Sequence, residues 1–130
     1  MSWARYQARW RGTEHVASPE LRTDGMWLRL LSPVALEGFA EVADGRWVRA
    51  VPATECAQVT YVTTVGEWGG APVIVLRDRQ GELLIEYAGG LVPVAERLGL
   101  ERVERGVYRR WVPRDEVADL REEATPIAPA

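Results

Sequence analysis

Short segments in which apolar and polar residues alternate recur along the chain and predict a mainly β protein. Residues 5–11 alternate strictly, which places Tyr6, Ala8 and Trp10 on one side of a half-buried strand. Residues 59–68 form a β-branched run of the kind enriched in strands. Two-residue segments ending in glycine predict tight turns between such strands. They are Arg11-Gly12, Asp44-Gly45, Gly69-Gly70, Gln80-Gly81 and Arg105-Gly106.

The pattern predicts five strands in each half of the chain. They cover 5–11, 13–17, 26–31, 39–43 and 46–51, and then 59–68, 71–77, 82–87, 100–104 and 107–112. Ser18-Pro19 is expected to end the second strand. Pro-Val-Ala at 33–35 and again at 93–95 predicts a short helical turn in each half, closed by Gly38 and Gly99. Residues 115–124 predict a short C-terminal helix with Asp115 as its cap.

One segment of the chain occurs twice. Gly38–Cys56 recurs as Gly99–Val117, and seven of nineteen matched residues are identical, where average composition gives roughly one or two. The match predicts an internal duplication with a pseudo-twofold relation, the first β repeat in 1–58 and the second in 59–124. A half of about 60 residues would be marginally stable alone, so we expect the two repeats to pack as one compact unit. Residues 125–130 are expected to be a disordered tail.

The end of each repeat resembles the SH3-like barrel through the pattern Gly-x-aromatic-x-x-x-Val-Pro-x-x-Glu. The matching residues are Gly45, Trp47, Val51, Pro52 and Glu55, and then Gly106, Tyr108, Val112, Pro113 and Glu116. The resemblance implies two tandem SH3-like five-stranded units that bind peptides through an aromatic groove, or methylated side chains through an aromatic cage as in the Tudor branch. The whole chain also resembles small actinobacterial proteins, some of which act as immunity proteins to toxins.

Composition narrows the classes of function. Hydrophobic residues make up 47% of the chain and there are six Trp, which indicates a packed globule. The net charge of −3 argues against a general attraction to nucleic acid. No apolar run approaches the ~18 residues of a membrane span, no signal peptide is evident, and Cys56 is the single cysteine. We therefore expect a cytoplasmic protein without a membrane partner.

Aromatic and arginine side chains supply the candidate binding residues. Trp47 and Arg49 share one face of their predicted strand, as Tyr108 and Arg110 do in the second copy. Such faces either contact a partner, since Trp, Tyr and Arg are enriched in interfaces, or pack inside the fold. The candidates are Trp27, Arg29, Trp47, Arg49, Tyr108, Arg110 and Trp111.

Chemistry for catalysis is sparse. His15 is the only histidine and Cys56 the only cysteine, no lysine is present, and no Cys/His spacing suits zinc. We expect no catalytic, cofactor or metal site. Our hypothesis is a non-enzymatic binding protein that masks or recruits a macromolecule, most specifically an immunity-type inhibitor of a toxin.

A protein is the expected partner, and the mild acidity of the chain suits a cationic one. One alternative is a Tudor-like or SH3-like reader of a peptide or of single-stranded nucleic acid, which basic residues beside Trp111 would suit. The other is a small enzyme that uses clustered carboxylates or the pair Cys56 and His15.

Overall fold

A computed structural model describes residues 3–129 of the protein. The mainly β prediction is confirmed, since eleven strands, one short helix and two 3-10 turns account for the regular structure of this part of the chain. The chain divides into two compact units. The N-terminal unit comprises Arg5–Val62 and the chain end from Ala124, and the C-terminal unit comprises Thr63–Glu123 with Trp3 and Ala4.

The N-terminal unit is an antiparallel arrangement of five strands followed by a 3-10 turn. Its elements are β1 (Ala4–Trp10), β2 (Thr13–Arg22), β3 (Gly25–Ser32), β4 (Ala40–Ala43), β5 (Arg46–Pro52) and a 3-10 turn (Ala53–Glu55). The strands pair in the order β4-β5-β3-β2-β1. The predicted turn between β1 and β2 has two residues in the left-handed region, Arg11 at φ 50° and Gly12 at φ 78°, as a type I′ hairpin requires.

The C-terminal unit has the same order of elements with an added helix and an added final strand. Its elements are β6 (Gln58–Trp68), β7 (Ala71–Arg79), β8 (Glu82–Tyr87), α1 (Val92–Arg97), β9 (Glu101–Glu104), β10 (Val107–Pro113), a 3-10 turn (Arg114–Glu116) and β11 (Ala118–Pro129). The first strand, β6, begins in the sequence of the N-terminal unit and continues into this one. The strands pair in the order β6-β7-β8-β10-β9, and β11 pairs with β6.

Each unit has its own hydrophobic core. In the N-terminal unit the core residues include Leu28 and Leu30 of β3, both fully buried, with Val51 of β5. In the C-terminal unit Leu83 and Ile85 of β8 are fully buried in the same way. Full burial of such a side chain contributes about 1.5–3 kcal/mol, so these strands are the stable centre of each unit.

The two copies of the repeated segment adopt the same sequence of conformations. Gly38 and Gly99 have φ of 81° and 73°, and a four-residue strand, a two-residue turn, a seven-residue strand and a 3-10 turn follow each of them. Both hairpins also contain a register irregularity. The strand order of each unit is open within residues 3–129, so closure into an SH3-like barrel stays a prediction.

Two expectations about the N-terminal unit are wrong. Strand β2 does not end at Ser18-Pro19 but continues to Arg22, because its pairing with β3 runs on as far as the register partners Arg22 and Gly25. Residues 33–34 form a bend and residues 35–36 have no regular structure, so the predicted helical turn is absent here. The Ser32 hydroxyl still accepts a hydrogen bond from the Val34 N–H at 3.2 Å, so the serine supports a turn without starting a helix.

The predicted C-terminal helix over 115–124 is also wrong. After the 3-10 turn the chain continues as β11, and residues 125–129, expected as a disordered tail, belong to that strand. The reason is packing of this segment at Gly66 of β6, where an added Cβ would lie 2.9 Å from the Ala118 carbonyl oxygen. Val117 is buried and Leu120 packs against the same core, so tertiary pairing overrides local helix propensity.

Membrane-spanning helices are a separate question. Among residues 3–129, no helix combines the length and the apolar character that crossing a bilayer requires.

Candidate functional site

A groove of about 500 Å³ on the C-terminal unit is lined by a cluster of arginine side chains. We call it the arginine groove. Its lining contains four guanidinium groups and a single carboxylate, although the protein as a whole carries a net charge of −3. The lining residues are Arg77, Leu84, Gly99, Glu101, Arg102, Val103, Arg109, Arg110 and Trp111.

Strand pairing brings the distant members of the groove together. Leu84 of β8 is the register partner of both Arg77 on β7 and Trp111 on β10, so the three residues form one row across the sheet. Directly paired residues of antiparallel strands point to the same face. In the next row, Arg109 of β10 pairs with Glu86 of β8.

A β-bulge decides on which face Arg77 lies. Val75 of β7 is buried in the core, and strict alternation would place Arg77 on the same side. The register of β7 against β8 shifts between Val75 and Arg77, which adds one residue to β7. The shift moves Arg77 to the exposed face, beside Leu84.

Carboxylates fix two arginines of this face. The Arg109 Nε donates to Glu86 Oε1 at 2.9 Å, and both side chains are largely covered. The Arg79 Nε donates to Glu82 Oε1 at 3.0 Å. Each of these contacts uses one of the five guanidinium donors, so the remaining donors of Arg109 can bind a second anion.

The indole of Trp111 lies under arginine side chains. The Arg79 guanidinium carbon is 4.0 Å from the ring centroid and that of Arg77 is 5.7 Å from it. Both distances are within cation–π range. The stacking orders the two guanidinium groups and covers ring surface on which a nucleic acid base would otherwise stack.

Two of the seven predicted site residues line the groove, Arg110 and Trp111. Because the two residues are adjacent in β10, their side chains leave the backbone on opposite faces of the strand. Arg110 is exposed, lies over Trp68 with its guanidinium carbon 5.3 Å from the ring centroid, and donates to the Leu98 carbonyl at 3.4 Å.

Three predicted site residues face the cores instead. Trp47 is half-buried against the core of the N-terminal unit, and Tyr108 is buried in that of the C-terminal unit. Arg49 does not stack on Trp47 but on Trp10, with its guanidinium carbon 4.8 Å from the ring centroid. The matching Arg110 likewise stacks on Trp68 rather than Tyr108. Arg49 of β5 therefore contacts Trp10, the last residue of β1, and Arg110 of β10 contacts Trp68, the last residue of β6.

Trp27 and Arg29 lie on the exposed face of β3 in the N-terminal unit and do not line the arginine groove. The Trp27 indole donates to Asp24 Oδ1 at 3.0 Å and is covered by Arg22 at 4.1 Å. Arg22 in turn contacts Glu20 at 3.0 Å. Opposite charges are balanced at this patch, so it has less attraction for a charged partner than the groove has.

Sequence reasoning missed four of the polar groove residues: Arg77, Glu101, Arg102 and Arg109 were not among the candidates. Arg109 could have been found, because it neighbours two candidates in the run Arg109-Arg110-Trp111. Arg77 could not, since only the bulge in β7 brings it to the exposed face.

The residues considered for catalysis lie in the interior. His15 is buried beside the rings of Trp10 and Phe39, and its Nδ1 is 3.3 Å from the Leu31 carbonyl oxygen. Cys56 is fully buried; burial, with a smaller effect of the Glu55 charge, raises the pKa of its thiol. A buried, protonated thiol is a poor nucleophile. Among the described residues no cluster of three or more His, Cys, Asp or Glu side chains could hold a metal ion.

A smaller cleft of about 280 Å³ lies on the same unit. Its lining is uncharged and consists of Tyr87, Ala88, Gly90, Val92, Gly106 and Tyr108. The Tyr87 hydroxyl already accepts the Leu91 N–H at 3.3 Å. Two tyrosines without a carboxylate make a weaker site for a methylated cation than the aromatic cage that the Tudor resemblance implied.

Comparison with known proteins places the chain in a family without assigning its chemistry. Neither curated proteins nor solved structures match the chain. A family model matches residues 27–129, which include the whole arginine groove. Since this match covers most of the chain, the protein belongs to the family described as Uncharacterised conserved protein UCP033725.

Proposed function

We propose that the protein is a non-enzymatic binding protein whose arginine groove takes an acidic segment of a partner protein. The observation that carries the proposal is the concentration of four guanidinium groups against one carboxylate in one groove of an acidic protein. Guanidinium groups bind carboxylates through paired, charge-assisted hydrogen bonds. The local charge thus favours an acidic partner, whereas the net charge of the chain had suggested a cationic one.

A protein partner suits the groove better than single-stranded nucleic acid. Binding of bases without sequence preference depends on exposed aromatic faces, and the guanidinium of Arg79 lies 4.0 Å from the centre of the Trp111 ring. A base would have to displace that arginine, which is also held by Glu82. Carboxylates need no such displacement, because they bind the outer guanidinium donors.

An enzyme that uses Cys56 or His15 is disfavoured by the same structure. Both side chains are buried in the N-terminal unit, and Cys56 retains its proton at neutral pH. The immunity-type inhibitor is the narrower form of the proposal, in which the bound segment belongs to a toxin and binding blocks its activity. The SH3-like peptide reader is the other form, with the groove in place of the aromatic cleft of that class.

The test uses a defined acidic peptide, a fluorescent hexamer of glutamate, and measures its binding by anisotropy at low ionic strength. We expect Arg109→Gln to weaken binding by up to about fivefold, the value of one partly exposed ion pair. The matched control is Arg46→Gln, which removes the same charge from an exposed residue of the N-terminal unit. We expect this control to change binding less than twofold.

Three results would count against the proposal. The first is no binding of the acidic peptide at low salt. The second is an equal effect of Arg109→Gln and Arg46→Gln, which would show a general charge effect. The third is tighter binding of an oligothymidylate of equal charge than of the peptide, which would favour the nucleic acid alternative.

A further inference from the structure

We infer that the arginine groove selects an extended segment in which one apolar side chain is flanked by acidic side chains two residues away on either side. This inference rests on the proposed function and specifies its ligand. It follows from the arrangement of apolar and cationic side chains within the groove, whereas the proposal of an acidic partner depends on the sum of their charges alone.

The floor of the groove is apolar. Leu84 and the half-buried Trp111 are register partners on neighbouring strands. Val103 of the edge strand β9 also lines the groove and is 53% exposed. An aliphatic side chain can pack against Leu84 and the edge of the Trp111 ring, although the ring face is covered by arginine; Val103, one strand beyond Trp111, borders the groove.

Cations stand on two sides of this floor. Arg77 is on β7, one strand beyond Leu84, and Arg109 is on β10, two residues before Trp111. With strands about 4.8 Å apart and about 3.4 Å per residue, the Cα atoms of Arg77 and Arg109 are separated by roughly 12 Å.

An extended ligand matches this spacing in one pattern. Side chains two residues apart in a strand point to the same side, and residues four apart are separated by about 13 Å. A five-residue segment with acidic residues at its first and fifth positions and an apolar residue at its third position therefore presents three side chains to one surface. The two carboxylates then reach Arg77 and Arg109 while the central side chain packs on the floor between them.

The experiment compares two blocked, fluorescently labelled peptides of identical composition and charge. The matching peptide is Gly-Glu-Ser-Leu-Ser-Glu-Gly, and its isomer Gly-Glu-Leu-Ser-Ser-Glu-Gly turns the leucine to the opposite side while the glutamates keep their spacing. We expect the matching peptide to bind about tenfold more tightly, the effect of burying part of one leucine side chain. Leu84→Ala should reduce this preference, and since the neighbouring Leu83 and Ile85 rather than Leu84 belong to the core, the variant is expected to fold, which a melting curve checks.

A second variant tests the cationic end of the groove. Arg77→Gln should weaken the matching peptide about fivefold and have little effect on a version in which both glutamates are replaced by glutamine, because the contact with Arg77 is already lost there. Equal affinity for the two isomers, with Arg109 still required, would overturn the inference and leave the proposed function standing. Failure of both peptides and of hexaglutamate to bind would overturn the proposed function itself.

Discussion

Substitution of Gly38 tests the contact between Arg49 and Trp10 in the first copy of the repeated segment. Gly38 has φ of 81°, and an added Cβ would overlap the Nη1 atom of Arg49. Gly45, in the turn of the same hairpin, has φ of 70°, and no atom lies within 4 Å of an added Cβ. Alanine at either position has the same backbone penalty, but only at Gly38 must it also displace Arg49 from Trp10.

The structure gives the size of the difference. Alanine in the left-handed region costs about 1 kcal/mol, so Gly45→Ala should lower the free energy of unfolding by that amount. Gly38→Ala should cost about 1 kcal/mol more, because Arg49 loses its position over the buried Trp10 ring. The total is about 2 kcal/mol, or a decrease of roughly 6–10 °C in the melting temperature.

Urea unfolding of the two single variants and of a double variant measures this directly. In the Arg49→Ala background, Gly38→Ala should cost only the backbone penalty, about 1 kcal/mol, since no guanidinium remains to be displaced. Equal losses for Gly38→Ala and Gly45→Ala would refute the reasoning. So would a cost of Gly38→Ala that is the same with and without Arg49.

The second copy provides an independent comparison. At Gly99, an added Cβ would lie 3.2 Å from the Nη1 atom of the exposed Arg110, and at Gly106 it would meet nothing. A contact of that length needs only a small shift of a mobile side chain. The gap between Gly99→Ala and Gly106→Ala should therefore be smaller than in the first copy, and a larger gap would contradict the argument.

Two further predictions concern the interior of the units. Gly66→Ala should cost about 1–3 kcal/mol in urea unfolding, because the added methyl group would overlap Val117 and the Ala118 carbonyl of β11; an unchanged midpoint would contradict the packing of β11. The thiol of Cys56 should react with a disulfide reagent far more slowly in the native protein than in urea, and equal rates would show that it is accessible. Since burial and, to a smaller extent, the Glu55 charge raise the pKa of this thiol above its ordinary value, its contribution to the free energy of unfolding is present below the ordinary pKa and is lost as the pH rises through the raised pKa; Cys56→Val should abolish this pH dependence.

Much of the strand pattern could be predicted because its causes are local. Alternation in residues 5–11 and glycine-containing turns such as Asp44-Gly45 depend only on backbone geometry and on neighbouring side chains. The predicted C-terminal helix was wrong because its competitor is not local. Its residues pair as β11 with β6, which is about 50 residues earlier in the chain, and no periodicity within 115–124 reports that partner.

The groove was harder to predict because it depends on strand register. Arg77 and Trp111 meet only because both pair with Leu84, and the bulge after Val75 reverses the face expected for Arg77. A bulge leaves little trace in a single sequence. Candidates chosen as matching residues of the two copies, such as Trp47 and Tyr108, turn out to pack against the cores.

Comparison of the two copies explains why the shared residues were misleading. Among the residues that match across the 61-residue spacing, Val51 and Val112 are buried and serve the packing that both units need. The groove also contains Gly99, Val103 and Arg110, which are identical in the two copies, but three of its cationic and aromatic residues have no counterpart in the N-terminal unit. Arg102, Arg109 and Trp111 correspond to Glu41, Val48 and Ala50 in the N-terminal unit.

This difference predicts the stoichiometry of binding. The N-terminal unit has neither the cation nor the indole at the positions of Arg109 and Trp111, and its half-buried Trp27 is covered by an arginine already paired with a carboxylate. One chain should therefore bind one acidic peptide in a calorimetric titration. A value near two would show that the face of β3 with Trp27 and Arg29 also binds the peptide, and that the divergence between the copies does not define the site.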